Sequence, residues 1–277
     1  SFIFKEFFER TLNTKNYESR SSNNFININE RENYLFNSTI NGIEESDLIL
    51  LIGTNPRFEA TILNARIRKS FVNNSTKIIS LNDIGDLTYP YESLNGKTKT
   101  IFDIFEGNNE LSKKILDAKK PLIILGESFY KLNSAEFLFN LIKGYLKKNH
   151  KINNEWNSLN TLATDASTVG SLDLKIVNDK KNIFNNLQNN NFEIIYLLGR
   201  DNLDFKKKDE FIIYQGSHGD KGAEIADIIL PGAAYTEQNG HFTNLEGKVQ
   251  KAFKASYPPG EAKEDWQIIN DLAEFMN

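Results

Sequence analysis

The sequence predicts an α/β fold: doubly wound, mostly parallel sheets with flanking helices. Three observations carry that reading. Short runs such as Leu48–Ile52, Leu122–Leu125 and Ile194–Leu198 are apolar at every position, as parallel strands covered on both faces are. Segments with apolar residues at helical spacing fall between these runs, so strand and helix alternate. A glycine then closes each run, at Gly53, Gly126 and Gly199. The glycines are evenly spaced, but the sequences between them do not match, and no repeat is inferred.

Taken in order, the first stretch is polar after a short apolar opening, and Ser21 to Asn24 reads as loop. Glu44-Glu45-Ser46 closes a short helix ahead of the strand Leu48–Ile52. In Gly53-Thr54-Asn55-Pro56, Asn55 suits a helix N-cap, and Pro56 suits the first helical position, where no N–H is missed. Ala60, Leu63, Ile67 and Phe71 then mark one helix, with Arg66, Arg68 and Lys69 on its polar side. Lys77–Leu81 is the next strand, which makes a right-handed βαβ unit. Asp83 to Gly96 is a surface excursion, and Leu111, Ile115 and Ala118 mark a helix that ends at Lys119-Lys120-Pro121.

Leu122–Gly126 is a buried strand, followed by a helix from about Ser134 to Lys147. Asn149 to Asn160 is a polar passage, Leu162 to Val169 a weak helix, and Ile183, Phe184 and Leu187 mark another. Ile194–Gly199, Phe211–Tyr214 and Ile228–Pro231 are further strands. Beyond Pro231 the chain is rich in Gly, Thr and Asn, with a hairpin turning near Glu246-Gly247. A closing helix from about Ala262 is expected to bury Trp266, Ile269, Leu272 and Ala273.

Composition excludes several classes of function. With 277 residues, the chain can bury one large core or two modest ones. Its 33 basic and 37 acidic residues leave a net charge of −4, so no basic excess points to nucleic acid. The Lys206–Lys208 run, flanked by Asp204 and Asp209, reads as a solvated loop. There is no cysteine, so this chain can hold no disulfide, thiolate zinc site or iron–sulfur cluster through its own thiolates. No apolar run reaches the ~20 residues of a membrane-spanning helix. Heavy use of Asn, Lys, Ile and Phe follows the codon bias of an AT-rich genome. The start lacks Met and a signal-peptide layout, which points to a processed end or a fragment.

No catalytic set emerges from the motifs. Ser217, His218 and Asp220 lie together after a strand, at the usual ligand-binding edge, but the G-x-S-x-G elbow of a hydrolase is absent. Glu237 and His241 have helical metal-ligand spacing, yet Asn239 and Gly240 argue for a loop. Neither a phosphate-binding G-x-x-x-x-G-K-[ST] nor a dinucleotide G-x-G-x-x-G follows any expected strand. The turn at Gly53-Thr54-Asn55-Pro56 offers backbone N–H groups where a phosphate could sit, although the same pattern serves as a plain strand-to-helix junction.

Longer strings say more. N-Y-L-F-N-S-T-I-N-G-I-E-E-S-D-L-I-L-L-I-G-T-N-P-R-F-E-A-T-I-L-N-A-R-I-R-K-S-F (Asn33 to Phe71) closely resembles the large peripheral-arm, iron–sulfur subunit family of mitochondrial respiratory complex I, the NADH:ubiquinone oxidoreductase. D-L-T-Y-P-Y-E-S-L (Asp86 to Leu94), K-K-P-L-I-I-L-G (Lys119 to Gly126), the block from Phe211 to Gln250 and P-P-G-E-A-K-E-D-W-Q-I-I resemble the same family in order and spacing. The likeness runs from about Glu30 to the C-terminus.

This resemblance implies a molybdopterin-oxidoreductase-like α/β region over residues 31–277, with room for two subdomains, after an extension or linker at 1–30. It implies a structural, non-catalytic subunit of the matrix-side peripheral arm at the mitochondrial inner membrane, supporting electron transfer from NADH to ubiquinone. The family's cluster ligands are cysteines in an N-terminal part that this chain does not contain. Iron–sulfur clusters are therefore expected on a partner, the cluster-bearing N-terminal half, and no cofactor in this chain. Other complex I peripheral-arm subunits are the remaining expected partners. A split gene or a cleaved chain would explain the missing half. The alternative is part of an active molybdopterin oxidoreductase, formate dehydrogenase-like, with the metal ligand on a partner chain. In the wider molybdopterin family, turns like Gly53-Thr54-Asn55-Pro56 line the pterin site. Gly53, Thr54, Asn55, His218 and Asp220 are thus candidate residues of a vestigial pocket edge, with a role as plain turn residues the simpler reading.

Overall fold

The computed structural model describes residues 1–20, 24–178, 183–189, 191–201 and 205–276. Ser21 to Asn23 of the expected loop, and Asp204 beside the lysine run, lie outside them. The chain divides into two compact units. Unit 1 takes Ser1–Asn23, Gly170–Phe242 and Val249–Asn277; unit 2 takes Asn24–Val169 and Thr243–Lys248.

The opening helix α1 (Phe2–Glu6) belongs to unit 1, and Phe7–Thr11 extends it with a wider turn. Unit 2 then begins its sheet with β1 (Leu48–Ile52), every residue of which is buried. Next come α2 (Pro56–Glu59), α3 (Thr61–Asn74), β2 (Lys77–Leu81), β3 (Glu92–Leu94), α4 (Thr98–Phe105) and α5 (Glu110–Asp117). The unit continues through β4 (Pro121–Leu125), α6 (Glu127–Tyr130), α7 (Ala135–Lys148) and β5 (Leu159–Thr161). Among the described residues these strands form one five-stranded parallel sheet in the order β3-β2-β1-β4-β5.

The sheet is covered on both sides, which explains its unbroken apolar strands. Leu48, Leu50, Ile52, Ile123 and Leu125 face α4, α5 and α7 through Ile104, Ile115, Leu138 and Ile142. Ile49, Leu51, Leu122 and Ile124 face the other way, against Leu63 and Ile67 of α3 and the buried Phe36 and Ile43. Each fully buried Leu or Ile contributes roughly 1.5–3 kcal/mol, so β1, with five buried Leu and Ile side chains, is firmly anchored.

The expected single helix after Pro56 is broken. Ala60 has φ −154° and ψ 71°, outside helical space, and separates α2 from α3. The break comes directly after Glu59, whose carboxylate is held back on the preceding turn. The polar passage ending at Asn160 conceals β5, and the helix expected over Leu162 to Val169 instead starts later, as α8 (Thr168–Asp173). The pattern hides β5 because the strand is short and polar: its Asn160 is fully buried and bonded to Ser38.

Beyond α8, unit 1 contains α9 (Ile183–Gln188), β6 (Ile194–Leu198), β7 (Phe211–Gly216), α10 (Lys221–Ile225) and β8 (Ile228–Pro231). Its strands pair in parallel as β6-β7-β8. The hairpin β9 (Gly240–Thr243) and β10 (Val249–Ala252) turns where the sequence places it, and α11 (Asp265–Met276) closes the chain. In α11, Ile268 and Ile269 are buried, but Trp266 is 44% exposed, contrary to expectation. Its indole N–H donates instead to Glu264 Oε2 at 2.8 Å, so the ring lies along the surface.

The tip of the hairpin joins unit 2. Phe36 N–H donates to the Leu245 carbonyl at 3.0 Å, and Arg31 Nη2 to the Gly247 carbonyl at 2.6 Å. Gly247 has φ +80°, and a Cβ there would lie 2.8 Å from Arg31 Nη2. Replacing Gly247 by Ala is expected to lower stability by about 1–2 kcal/mol through left-handed backbone strain, read from chemical denaturation of the full chain.

Burial pushes the hydroxyls of Tyr89, Tyr130 and Tyr214 well above the ordinary tyrosine range. Burial and a hydrogen bond to Glu9 push Tyr17 up to about 12, from an ordinary 10.0. The unfolded chain therefore ionises these four tyrosines first, and the contribution of Tyr17 is complete below pH 10.0 and lost as pH rises toward 12. Thermal melts across that window are expected to show a falling midpoint.

Candidate functional site

In an open α/β sheet, ligands bind beyond the carboxyl ends of the strands, where the strand order reverses. In unit 2 that point lies between β1 and β4: the chain builds outward through β2 and β3, then returns to β4 on the other side of β1. Two turns meet here, Gly53-Thr54-Asn55 after β1 and Gly126-Glu127-Ser128 after β4. The three candidates Gly53, Thr54 and Asn55 are thus at the position where the topology would place a ligand.

The turns are packed into each other. Gly126 N–H donates to the Ile52 carbonyl at 2.9 Å, and Ser128 N–H to the Gly53 carbonyl at 3.1 Å. Gly53 adopts φ +65°, and a Cβ on it would lie 2.4 Å from the backbone nitrogen of Phe129. A Cβ on Gly126 would lie 2.3 Å from Thr54 Cβ and 2.5 Å from the Gly53 carbonyl oxygen. Both glycines are required by this close approach of protein to protein.

The polar groups of the first turn are engaged as well. Thr54 is only 4% exposed, and its hydroxyl donates to Glu59 Oε2 at 2.7 Å. The Asn55 N–H donates to the other oxygen, Glu59 Oε1, at 2.9 Å. Asn55 caps α2 by accepting from Arg57 N–H at 3.1 Å, and its amide donates to the Ile84 carbonyl at 2.8 Å. Arg57 reaches the Asp86 carboxylate at 2.6 Å, and Asn64 holds the Leu87 carbonyl at 3.1 Å. The excursion from Asp83 is therefore tied to the turn, with Leu87 and Tyr89 buried beneath it.

The other two candidates belong to unit 1. His218 and Asp220 are both exposed, in the loop between β7 and α10. Tyr214 O–H donates to the His218 carbonyl at 3.1 Å, and Ser217 Oγ lies 2.9 Å from His218 Nδ1. Asp220 stands at the N-cap of α10 without a side-chain capping bond. Asp201, just beyond β6, has a buried Oδ1 with no hydrogen-bond partner among the described residues. Its charge adds to burial in raising Tyr214. The five candidates are thus divided, and neither unit holds them all.

Glu59 and Phe129 are the residues of this site that sequence reading missed. An acidic residue in a first helical turn was a visible signal for Glu59; Phe129 carried none. No group of three or more His, Asp or Glu side chains among the described residues is arranged to hold a metal ion. Glu237 accepts from the Ala234 N–H at 2.9 Å in a loop, while His241 is exposed on β9, so the pair shares no helix face.

The molybdopterin oxidoreductase family model matches residues 1–275. The chain belongs to that family. It is similar to the NADH-ubiquinone oxidoreductase 75 kDa subunit of Reclinomonas americana, with 40% identity over 99% of this chain and 42% of that protein. It is also similar to the mitochondrial NADH-ubiquinone oxidoreductase 78 kDa subunit of Candida albicans, with 43% identity over 89% of this chain and 34% of that protein. A NADH-quinone oxidoreductase subunit of Rickettsia typhi matches at 41% identity, over 96% of this chain and 38% of that protein. The chain therefore spans about two fifths of the curated relatives it matches. Acetylene hydratase from Pelobacter acetylenicus is a structural neighbour, with TM-score 0.42 and 14% identity over 92% of this chain and 48% of that one.

A molybdopterin carries a phosphate and needs open donors at such a turn. Here the N–H groups of Asn55, Arg57, Gly126 and Ser128 and the Thr54 hydroxyl are all bonded within the protein. An anionic carboxylate already lies on two of them. The residues at this turn of the family member do not fit the group. Gly53→Ala is expected to cost at least ~2 kcal/mol, through left-handed strain and overpacking against Phe129, measured by denaturant titration.

Proposed function

We propose that this chain is a non-catalytic, structural subunit of the peripheral arm of respiratory complex I. It packs against a cluster-bearing N-terminal half supplied by another polypeptide, on the matrix side of the mitochondrial inner membrane. There it supports electron transfer from NADH to ubiquinone, while the iron–sulfur clusters sit on that partner. The observation that carries this reading is the filled switch point, where glycine-to-backbone packing and a carboxylate take the place of a ligand. Three further facts support it: relatives at 40–43% identity are named NADH-ubiquinone oxidoreductase subunits, the chain has no cysteine, and no described helix is long and apolar enough to cross a membrane. The alternative, part of an active molybdopterin oxidoreductase, draws its support from the Gly53–Pro56 turn; the engagement of the Thr54 hydroxyl and of the Asn55 and Arg57 N–H groups favours the structural reading over it.

Native purification of the chain from its own membranes, followed by mass spectrometry and elemental analysis, tests the proposal. The expected result is co-purification with complex I subunits, including a cysteine-rich companion, with iron present and molybdenum absent. Molybdenum or tungsten in a one-to-one ratio with the chain would overturn it.

A further inference from the structure

We propose that Glu59 is a built-in ligand of the switch-point turn: its carboxylate occupies the donors an outside anion would need and holds the turn shut. The inference rests on the structural reading above and names the residue responsible. Both carboxylate oxygens are used, one on the Thr54 hydroxyl at 2.7 Å and one on the Asn55 N–H at 2.9 Å. Thr54 is buried, so its hydroxyl has no solvent to turn to when the carboxylate leaves.

The chain's path agrees with this role. A continuous helix from Pro56 would need no interruption, yet α2 ends at Glu59 and the backbone leaves helical space at Ala60. Glu59 is thereby the last residue of a single short turn, with its side chain directed back toward the strand end, as helical side chains are. On the opposite side, Phe129 closes the approach over Gly53, and Gly126 rests on the Gly53 carbonyl and Thr54. A carboxylate between a hydroxyl and an N–H, walled by a second turn, reproduces the charge and bonding of a bound anion without one. Glu59 is thus a positioning residue, acting through Thr54 and Asn55.

Amide hydrogen exchange of the full chain tests this, comparing the Asn55 N–H in the wild type, Glu59→Gln and Glu59→Ala. Loss of the carboxylate is expected to speed Asn55 exchange about tenfold in Glu59→Ala, as the loss of a charged hydrogen bond does. Glu59→Gln is expected to fall between, since its carboxamide oxygen can accept one of the two bonds. Exchange in β2 is expected to stay unchanged, which separates local opening from loss of the whole fold. Inorganic phosphate is expected to leave Asn55 exchange of the wild type unaltered. Unchanged Asn55 exchange in Glu59→Ala, equal slowing or speeding across β2, or protection of the wild type by phosphate would each overturn the inference. Molybdenum in the native assembly would instead contradict the structural reading, so the two failures are distinguishable.

Discussion

The organisation of unit 2 depends on how closely the backbone after β1 approaches the backbone after β4. Gly53 and Gly126 permit that approach, and a Cβ on either would meet protein atoms at 2.3–2.5 Å. Hydrogen bonds from Gly126 and Ser128 to carbonyls of the opposite turn then fix it. In related folds, a glycine at this point admits a ligand's pyrophosphate. Here the same residue type admits another turn, and the two turns pack together with Thr54 and Gly126 buried between them.

Other features reinforce this closure. The Asp83–Tyr91 segment is fastened over the turn through Asn55, Arg57 and Asn64, and Tyr89 O–H donates to Asn64 Oδ1 at 2.6 Å. At the opposite end of β1, Asp47 receives the N–H groups of Lys119 at 2.6 Å and Lys120 at 2.9 Å, which aligns the start of β4. The hairpin tip that docks beside Phe36 and Ile40 brings two strings far apart in sequence into one unit.

Much of this was legible in the sequence, because periodicity reports burial directly. β1, β4, β6 and β7 are apolar runs, and Asn55-Pro56 announced the start of α2 through capping chemistry. β3 and β5 were invisible because each is three residues long and β5 hides behind asparagine and serine that are bonded internally. The break at Ala60 could not be read, since Ala60 itself fits the apolar helical spacing and the bond from the Thr54 hydroxyl to Glu59 beside the break is visible only in three dimensions. Trp266 departs from the expected burial for a related reason: helical spacing gives a face, but not whether a large ring at its margin is covered. At the site, the turn residues were found by pattern. Their use was not, because only three-dimensional proximity shows that Phe129 and Glu59 already fill the space.

Protein atoms pack against one another at the point where the strand order of unit 2 reverses, and the proposed function depends on that packing. A high-resolution density map of the native assembly around Gly53, Thr54 and Asn55 measures this most directly. It is predicted to show the Glu59 carboxylate bridging Thr54 and Asn55, with Phe129 in contact with Gly53. A pterin or phosphate seated on those residues, with Glu59 swung aside, would contradict it.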